Sequence, residues 1–232
     1  DYAGLVSFAR SCHPIGLINA GDIDHALEDI LEVGQVYQTS NSRGLQWAAV
    51  TGVGIAAATR PDATVDSVLG TIFDVCGTFS KRFVQDAHVV RELERALELT
   101  KDCDDFREIR VRFDDMYSGH GIPYAHSYAN EVVTKAVCVF RMVKGDLKQA
   151  IIAGVNLGRD TDCATAVAAG LSGALTGSAG LPEEWVTQLD YATSVNPYTN
   201  SKRTLREHAD GLYSAFATKM DRLRAYAALM AY

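Results

Sequence analysis

Two carboxylates stand one residue apart in the stretch 156–163, which reads N-L-G-R-D-T-D-C. Asp160 and Asp162 are hard oxygen donors, and together with the side chain of Cys163 they can turn toward one point and bind Mg²⁺ or Mn²⁺. The ordinary alternative is that Asp160 caps a helix by accepting a backbone N–H, while the helix dipole favours Asp162 in the first turn. The spacing alone leaves both interpretations open.

The residues after this stretch predict an unusual helix. Residues 163–175 are small and apolar on nearly every side, which is typical of a helix that close neighbours bury on all faces. Its first turn nevertheless carries the two carboxylates. A polar tip on a buried helix is an unusual combination.

The longer string 156–185 resembles the C-terminal signature of the ADP-ribosylglycohydrolase family. That signature reads G-G/R-D-T-D-T, then a small-residue helix, then I-P-x-x-W, and this chain has G-R-D-T-D-C, the helix and L-P-E-E-W. Residues 14–22, P-I-G-L-I-N-A-G-D, look like the family stretch M-R-x-x-P-x-G, although Arg10 is shifted by one place. The resemblance covers most of the chain and corresponds to about the C-terminal two thirds of the family pattern.

The resemblance implies an all-α fold, a binuclear Mg²⁺ or Mn²⁺ site, and a hydrolase that releases ADP-ribose or a related sugar. Asp160 and Asp162 are then expected to be metal ligands, and Cys163 stands where the family's third ligand is a threonine. A thiol is a poor partner for Mg²⁺, which predicts weaker metal binding, a preference for Mn²⁺, or a missing metal. Ser11, His120 and Arg159 are expected to contact substrate, and no catalytic residue is identified.

The composition describes the setting of the protein. With 232 residues, 47% of them hydrophobic, the chain is long enough for one core and is expected to form one soluble helical domain. The net charge of −7 argues against binding to a nucleic-acid backbone. Five scattered cysteines favour free thiols in a reducing, cytoplasmic compartment, and no apolar run is long enough to suggest a membrane span.

Apolar periodicity and capping residues predict an all-α orthogonal bundle of about nine or ten helices. The first expected helix begins after Asp22, and the next two cover 42–59 and 65–76, with Thr64 as the cap of the latter. Further helices are expected from Phe83 to Leu97, from Val132 to Val143, and before the Asp160 turn. The last is a long amphipathic helix over about 202–230, packed on the body. We identify no strand alternation of useful length and no internal repeat.

The family pattern opens with a stretch that has no counterpart here. It implies a G-D-A-x-G-like segment, a Thr-Asp-Asp cluster for the other half of the metal site, and an acidic residue near the scissile bond. The pairs Asp104-Asp105 and Asp114-Asp115 stand in the wrong order and context to replace them. We therefore expect an N-terminal companion chain or fragment that completes the core and the site.

A second hypothesis belongs to another functional class. The family includes members that look like lens crystallins and have become structural, and others recruited to different sugar or nucleoside chemistry. Cys163, the absent upstream cluster, and Arg43 beside Gly44, where an acidic residue is common, favour such an altered member. Metal binding by the two carboxylates discriminates between the two hypotheses.

Overall fold

The computed structural model describes residues 6, 8–38, 43–117 and 128–231, and these contain helices and no β-strand. The all-α prediction is confirmed. The helices are α1 (His13–Ile18), α2 (Ile23–Gly34), α3 (Arg43–Ala58), α4 (Val65–Cys76), α5 (Phe79–Arg82), α6 (Val89–Leu99), α7 (Phe106–Met116), α8 (Ala129–Met142), α9 (Leu147–Asn156), α10 (Thr161–Thr176), α11 (Glu183–Val195) and α12 (Leu205–Met230), with a 3₁₀ turn at Ser178–Gly180.

The described residues thus form twelve α-helices, more than the nine or ten expected. Helices α1 and α5 contain six and four residues, too few for a 3.6-residue period to be visible in the sequence. The predicted capping residues are confirmed. The Asp22 side chain accepts from the His25 amide, and the Thr64 side chain and Ser67 form a reciprocal capping box.

Helix α3 is the centre of the core. Every residue from Gly44 to Ala58 is buried, and α3 contacts α1, α2, α4, α8 and α10. Helix α10 packs against α3, α8 and α9. Helix α3 is a buried core helix, as the sequence predicted. The predicted burial of α10 on all faces is wrong, because Asp162 and Ala166 are exposed on the side that no neighbouring helix covers.

The α9–α10 contact shows how close this approach is. A Cβ atom added to Gly154 of α9 would lie 2.8 Å from the Thr165 Cα atom and 2.5 Å from its Oγ1 atom on α10. The Thr165 Cα atom belongs to the backbone of α10 and cannot move aside as the end of a flexible side chain can. Glycine is therefore required at this position by space rather than by backbone conformation.

Helix α6 begins later than the apolar stripe indicated. Phe83 and Ala87 precede its first residue, Val89, so the predicted start at Phe83 is wrong. The cause is the fully buried Gln46 of α3, whose amide donates to the Gln85 carbonyl oxygen at 2.6 Å and accepts from the Ala87 amide at 3.1 Å. These two bonds satisfy a buried amide and hold the segment before α6 out of a helix.

The long C-terminal helix is confirmed, but its packing is more limited than the sequence suggested. None of the residues of α12 is buried, and its main contacts are with α1. The Lys219 ammonium lies 3.7 Å from the Asp29 carboxylate and donates to the Asn19 side chain. Among the described helices, including this longest one, none combines the length and apolar composition required to cross a bilayer.

Replacing Gly154 with alanine tests the close α9–α10 packing. We expect Gly154→Ala to lower the free energy of unfolding by about 1–3 kcal/mol, since the new methyl group overlaps Thr165. Gly70 of α4 is the matched control, because a Cβ there meets nothing within 4 Å. Gly70→Ala should raise stability by about 0.5–1 kcal/mol in the same urea titration, and equal effects of the two changes would contradict this account.

Candidate metal centre

The turn between α9 and α10 presents the candidate site. Leu157 is 1% exposed and anchors the turn in the core. Gly158 and Arg159 then adopt left-handed backbone conformations, with φ of 78° and 61°. Two successive left-handed residues place Asp160 at the N-cap position of α10, with Asp162 and Cys163 in its first turn.

Asp160 does not behave as an ordinary capping residue. Asp22, Asp105 and Asp146 each precede a helix and accept a hydrogen bond from a backbone amide of its first turn. Asp160 occupies the equivalent position, yet its side chain makes no such bond. The capping interpretation of Asp160 is therefore not supported, whereas the helix dipole still favours a carboxylate at Asp162.

The side chains of Asp160, Asp162 and Cys163 converge. One potential ligand atom from each lies within 4.8 Å of the others. In an octahedral Mg²⁺ site adjacent ligands are about 3 Å apart and opposite ligands about 4 Å apart, so the three atoms have to move closer together to bind one ion. Two carboxylates suit Mg²⁺ or Mn²⁺, and the thiol is the mismatched donor.

The candidate centre is small. The described residues contain no second group of three or more His, Cys, Asp or Glu side chains whose ligand atoms lie this close together. The three residues of the turn are the candidate ligands that the described part of the chain brings together. Further ligands have to come from water, from substrate or from residues outside the described ranges.

The thiol of Cys163 is held in its protonated form. It is only 4% exposed, and burial, a hydrogen bond to Asp160 and the negative charge of Asp160 raise its pKa to about 12. The charge of Arg10 acts in the opposite direction. The other four cysteines are also buried free thiols, as the sequence predicted.

The Arg159 side chain pairs with Glu131 of α8. Its Nε donates to Oε1 of Glu131 at 2.6 Å, and its Nη2 donates to Oε2 at 3.0 Å. The same Oε1 atom accepts from Lys135 at 2.6 Å. This bidentate pair gives Arg159 a protein partner, and its expected contact with substrate stays a prediction.

The segment that carries Ser11 is attached to α10. His13 donates from Nε2 to the Ala166 carbonyl oxygen at 2.9 Å, and burial lowers the pKa of His13 below its ordinary value of 6.5. Ser11 is exposed, and its hydroxyl donates to the Phe8 carbonyl oxygen at 3.4 Å. Its neighbour Arg10 acts electrostatically on Cys163, so this segment borders the candidate centre.

The predicted substrate contact at His120 lies outside the described residues, as does the rest of the loop 118–127. Sequence reasoning also missed two residues. Glu131 and Lys135 are four apart on α8, a spacing typical of an exposed ion pair, and both are buried here. The apolar residues on the faces of α8 around Glu131 and Lys135 could have predicted that these two charges are buried.

A comparison with models of protein families identifies the family of this chain. The family model for ADP-ribosylglycohydrolase matches residues 3–222, nearly the whole chain. The chain belongs to the ADP-ribosylglycohydrolase family. No curated protein and no solved structure matches it significantly.

The protonation state of Cys163 gives a testable prediction. A rise in pKa from 9.0 to about 12 lowers the thiolate fraction at pH 8 by roughly a thousandfold. Only the thiolate is nucleophilic, so the rate of alkylation falls with that fraction. We expect iodoacetamide to label Cys163 in native protein far more slowly than in urea, as read by peptide mass spectrometry. Labelling at the rate of an exposed thiol would contradict the described environment.

Proposed function

We propose that this protein is a metal-dependent hydrolase that cleaves a glycosidic bond to ADP-ribose or a related ribosyl compound. The observation that carries the proposal is the convergence of Asp160, Asp162 and Cys163 within 4.8 Å, with Asp160 making no capping bond. Membership of the ADP-ribosylglycohydrolase family supports the reaction class. The position of the three residues in the family signature supports their role as ligands.

Asp160 and Asp162 are the residues that would hold Mg²⁺ or Mn²⁺. Cleavage at the anomeric carbon of ribose passes through an oxocarbenium-like state, so the site has to orient the sugar and supply a water. A bound divalent ion contributes by orienting ribose hydroxyls and lowering the pKa of a water. The two carboxylates contribute fixed negative charge beside the positive end of the α10 dipole.

The buried thiol has a separate effect on this site. Cys163 supplies sulfur instead of a hard oxygen, and burial together with the neighbouring Asp160 raises the pKa of this thiol to about 12 and favours its neutral form. It therefore reduces the affinity for Mg²⁺ relative to a hydroxyl at the same place and shifts the preference toward Mn²⁺. On this proposal the chain keeps the family turn but differs in the metal that it prefers.

Replacing Asp162 with asparagine separates a ligand from a helix-dipole carboxylate. We expect Asp162→Asn to weaken Mn²⁺ binding at least tenfold in titration calorimetry and to abolish Mn²⁺-dependent release of ADP-ribose from ADP-ribosylated peptides. Asp66→Asn is the matched control, since Asp66 is an exposed first-turn residue of α4. Both changes should alter stability by about 0.3–1 kcal/mol through the helix dipole.

The calorimetric result decides between the two roles. If Asp162→Asn and Asp66→Asn leave Mn²⁺ affinity equally unchanged, Asp162 acts only on its helix and the ligand assignment fails. If the natural protein binds no Mn²⁺, together with any companion chain that purifies with it, the metal-dependent function fails. A structural role, as in the crystallin-like alternative, is then the better account of the protein.

Replacing Cys163 with threonine tests the mismatched donor. We expect Cys163→Thr to strengthen Mg²⁺ binding, because a hydroxyl oxygen is a harder ligand than a protonated thiol. Cys163→Val is the control, since valine has nearly the shape of threonine without the oxygen. Equal Mg²⁺ affinities of the two variants would remove residue 163 from the site.

A further inference from the structure

A buried carboxylate on α8 is shared between two cations. The Glu131 side chain is 8% exposed and the Lys135 side chain 3% exposed. Oε1 of Glu131 accepts from both Lys135 and Arg159 at 2.6 Å, and Oε2 accepts from Arg159 alone at 3.0 Å. The Arg159 side chain is 17% exposed, so Glu131 and Lys135 are the charges that have lost most of their water and require good geometry.

The Arg159 end of this pair lies in a strained piece of backbone. Its φ of 61° is in the left-handed region, which residues with a Cβ rarely adopt. Such strain persists where the surrounding structure holds it in place. The two parallel hydrogen bonds that Arg159 donates to Glu131 fix the guanidinium, and through it the backbone of the turn.

The backbone of Arg159 is followed directly by the candidate ligands Asp160 and Asp162. The Arg159 carbonyl oxygen accepts from the Thr161 amide at 3.0 Å, and the Asp160 carbonyl oxygen accepts from the Ala164 amide at 3.1 Å. The direction in which Asp160 and Asp162 leave the turn therefore depends on the conformation of Arg159. Glu131 itself makes no contact with them that the structure describes.

We propose that Glu131 is a positioning residue, which holds Arg159 in its left-handed conformation and thereby sets the carboxylates of Asp160 and Asp162 for metal binding. This inference rests on the proposed function. Lys135 has a different part, because it neutralises Glu131 from within α8 and lies over the rings of Phe113 and Tyr117 at 5.8 and 5.9 Å.

The test is a double-mutant cycle on Mn²⁺ affinity. Glu131→Gln should weaken Mn²⁺ binding by about tenfold or more, as loss of a residue supporting metal ligands commonly does. Glycine adopts a φ of 61° without strain, so Arg159→Gly should keep near-natural affinity. Glu131→Gln made in the Arg159→Gly background should then have no further effect on affinity.

Two other variants guard against a merely structural explanation. Lys135→Met removes a buried charge but leaves the Glu131–Arg159 pair, so it should lower the melting temperature without changing Mn²⁺ affinity. Arg159→Ala keeps the Cβ strain and loses the pair, so it should bind Mn²⁺ more weakly than Arg159→Gly. This last comparison decides the question even if Glu131→Gln does not fold, and equal affinities of the two variants would overturn the proposal.

A metal-free readout separates this proposal from the proposed function. Glu131→Gln should speed hydrogen exchange at the amides of Thr161 and Ala164 in the natural background, but not in the Arg159→Gly background. Acceleration confined to the natural background supports the positioning role even if the natural protein binds no Mn²⁺. The same change in both backgrounds, in exchange or in affinity, shows that Glu131 does not act through Arg159.

Discussion

The structure depends on the packing of α10 against three other helices. Packing against α3, α8 and α9 at once requires small side chains, and contacts such as Gly154 against Thr165 leave no room for a methyl group. A helix held on so many sides cannot tilt or slide without disturbing the core. Its first turn is therefore a rigid place to present polar groups.

Rigidity at this turn is combined with charges that are costly to bury. Glu131, Lys135 and Arg159 form a hydrogen-bonded group inside the bundle, where apolar side chains of similar volume often give equal or greater stability. Hydrophobic packing thus does not account for their presence. Paired charges can instead hold a segment of backbone in one conformation, and these three lie beside the turn that carries the two candidate ligands.

The same turn places a cysteine next to two carboxylates. A thiol occupies the third position of the carboxylate cluster, and its surroundings keep it protonated. Neighbouring carboxylates stabilise the neutral thiol and would also attract a cation. Whether the neutral thiol or a bound cation is favoured depends on the charges around the turn, and not on the helices that carry it.

The sequence by itself determined the all-α class, the bounds of α4 and the two carboxylates of the signature, because periodicity, capping residues and short motifs are local properties of the chain. It did not reveal the late start of α6, which is set by Gln46 from a distant helix. Nor did it reveal the pair between Glu131 and Arg159, 28 residues apart, or the absence of a capping bond at Asp160. These features are decided by which side chains tertiary packing brings together, and a one-dimensional pattern does not contain that information.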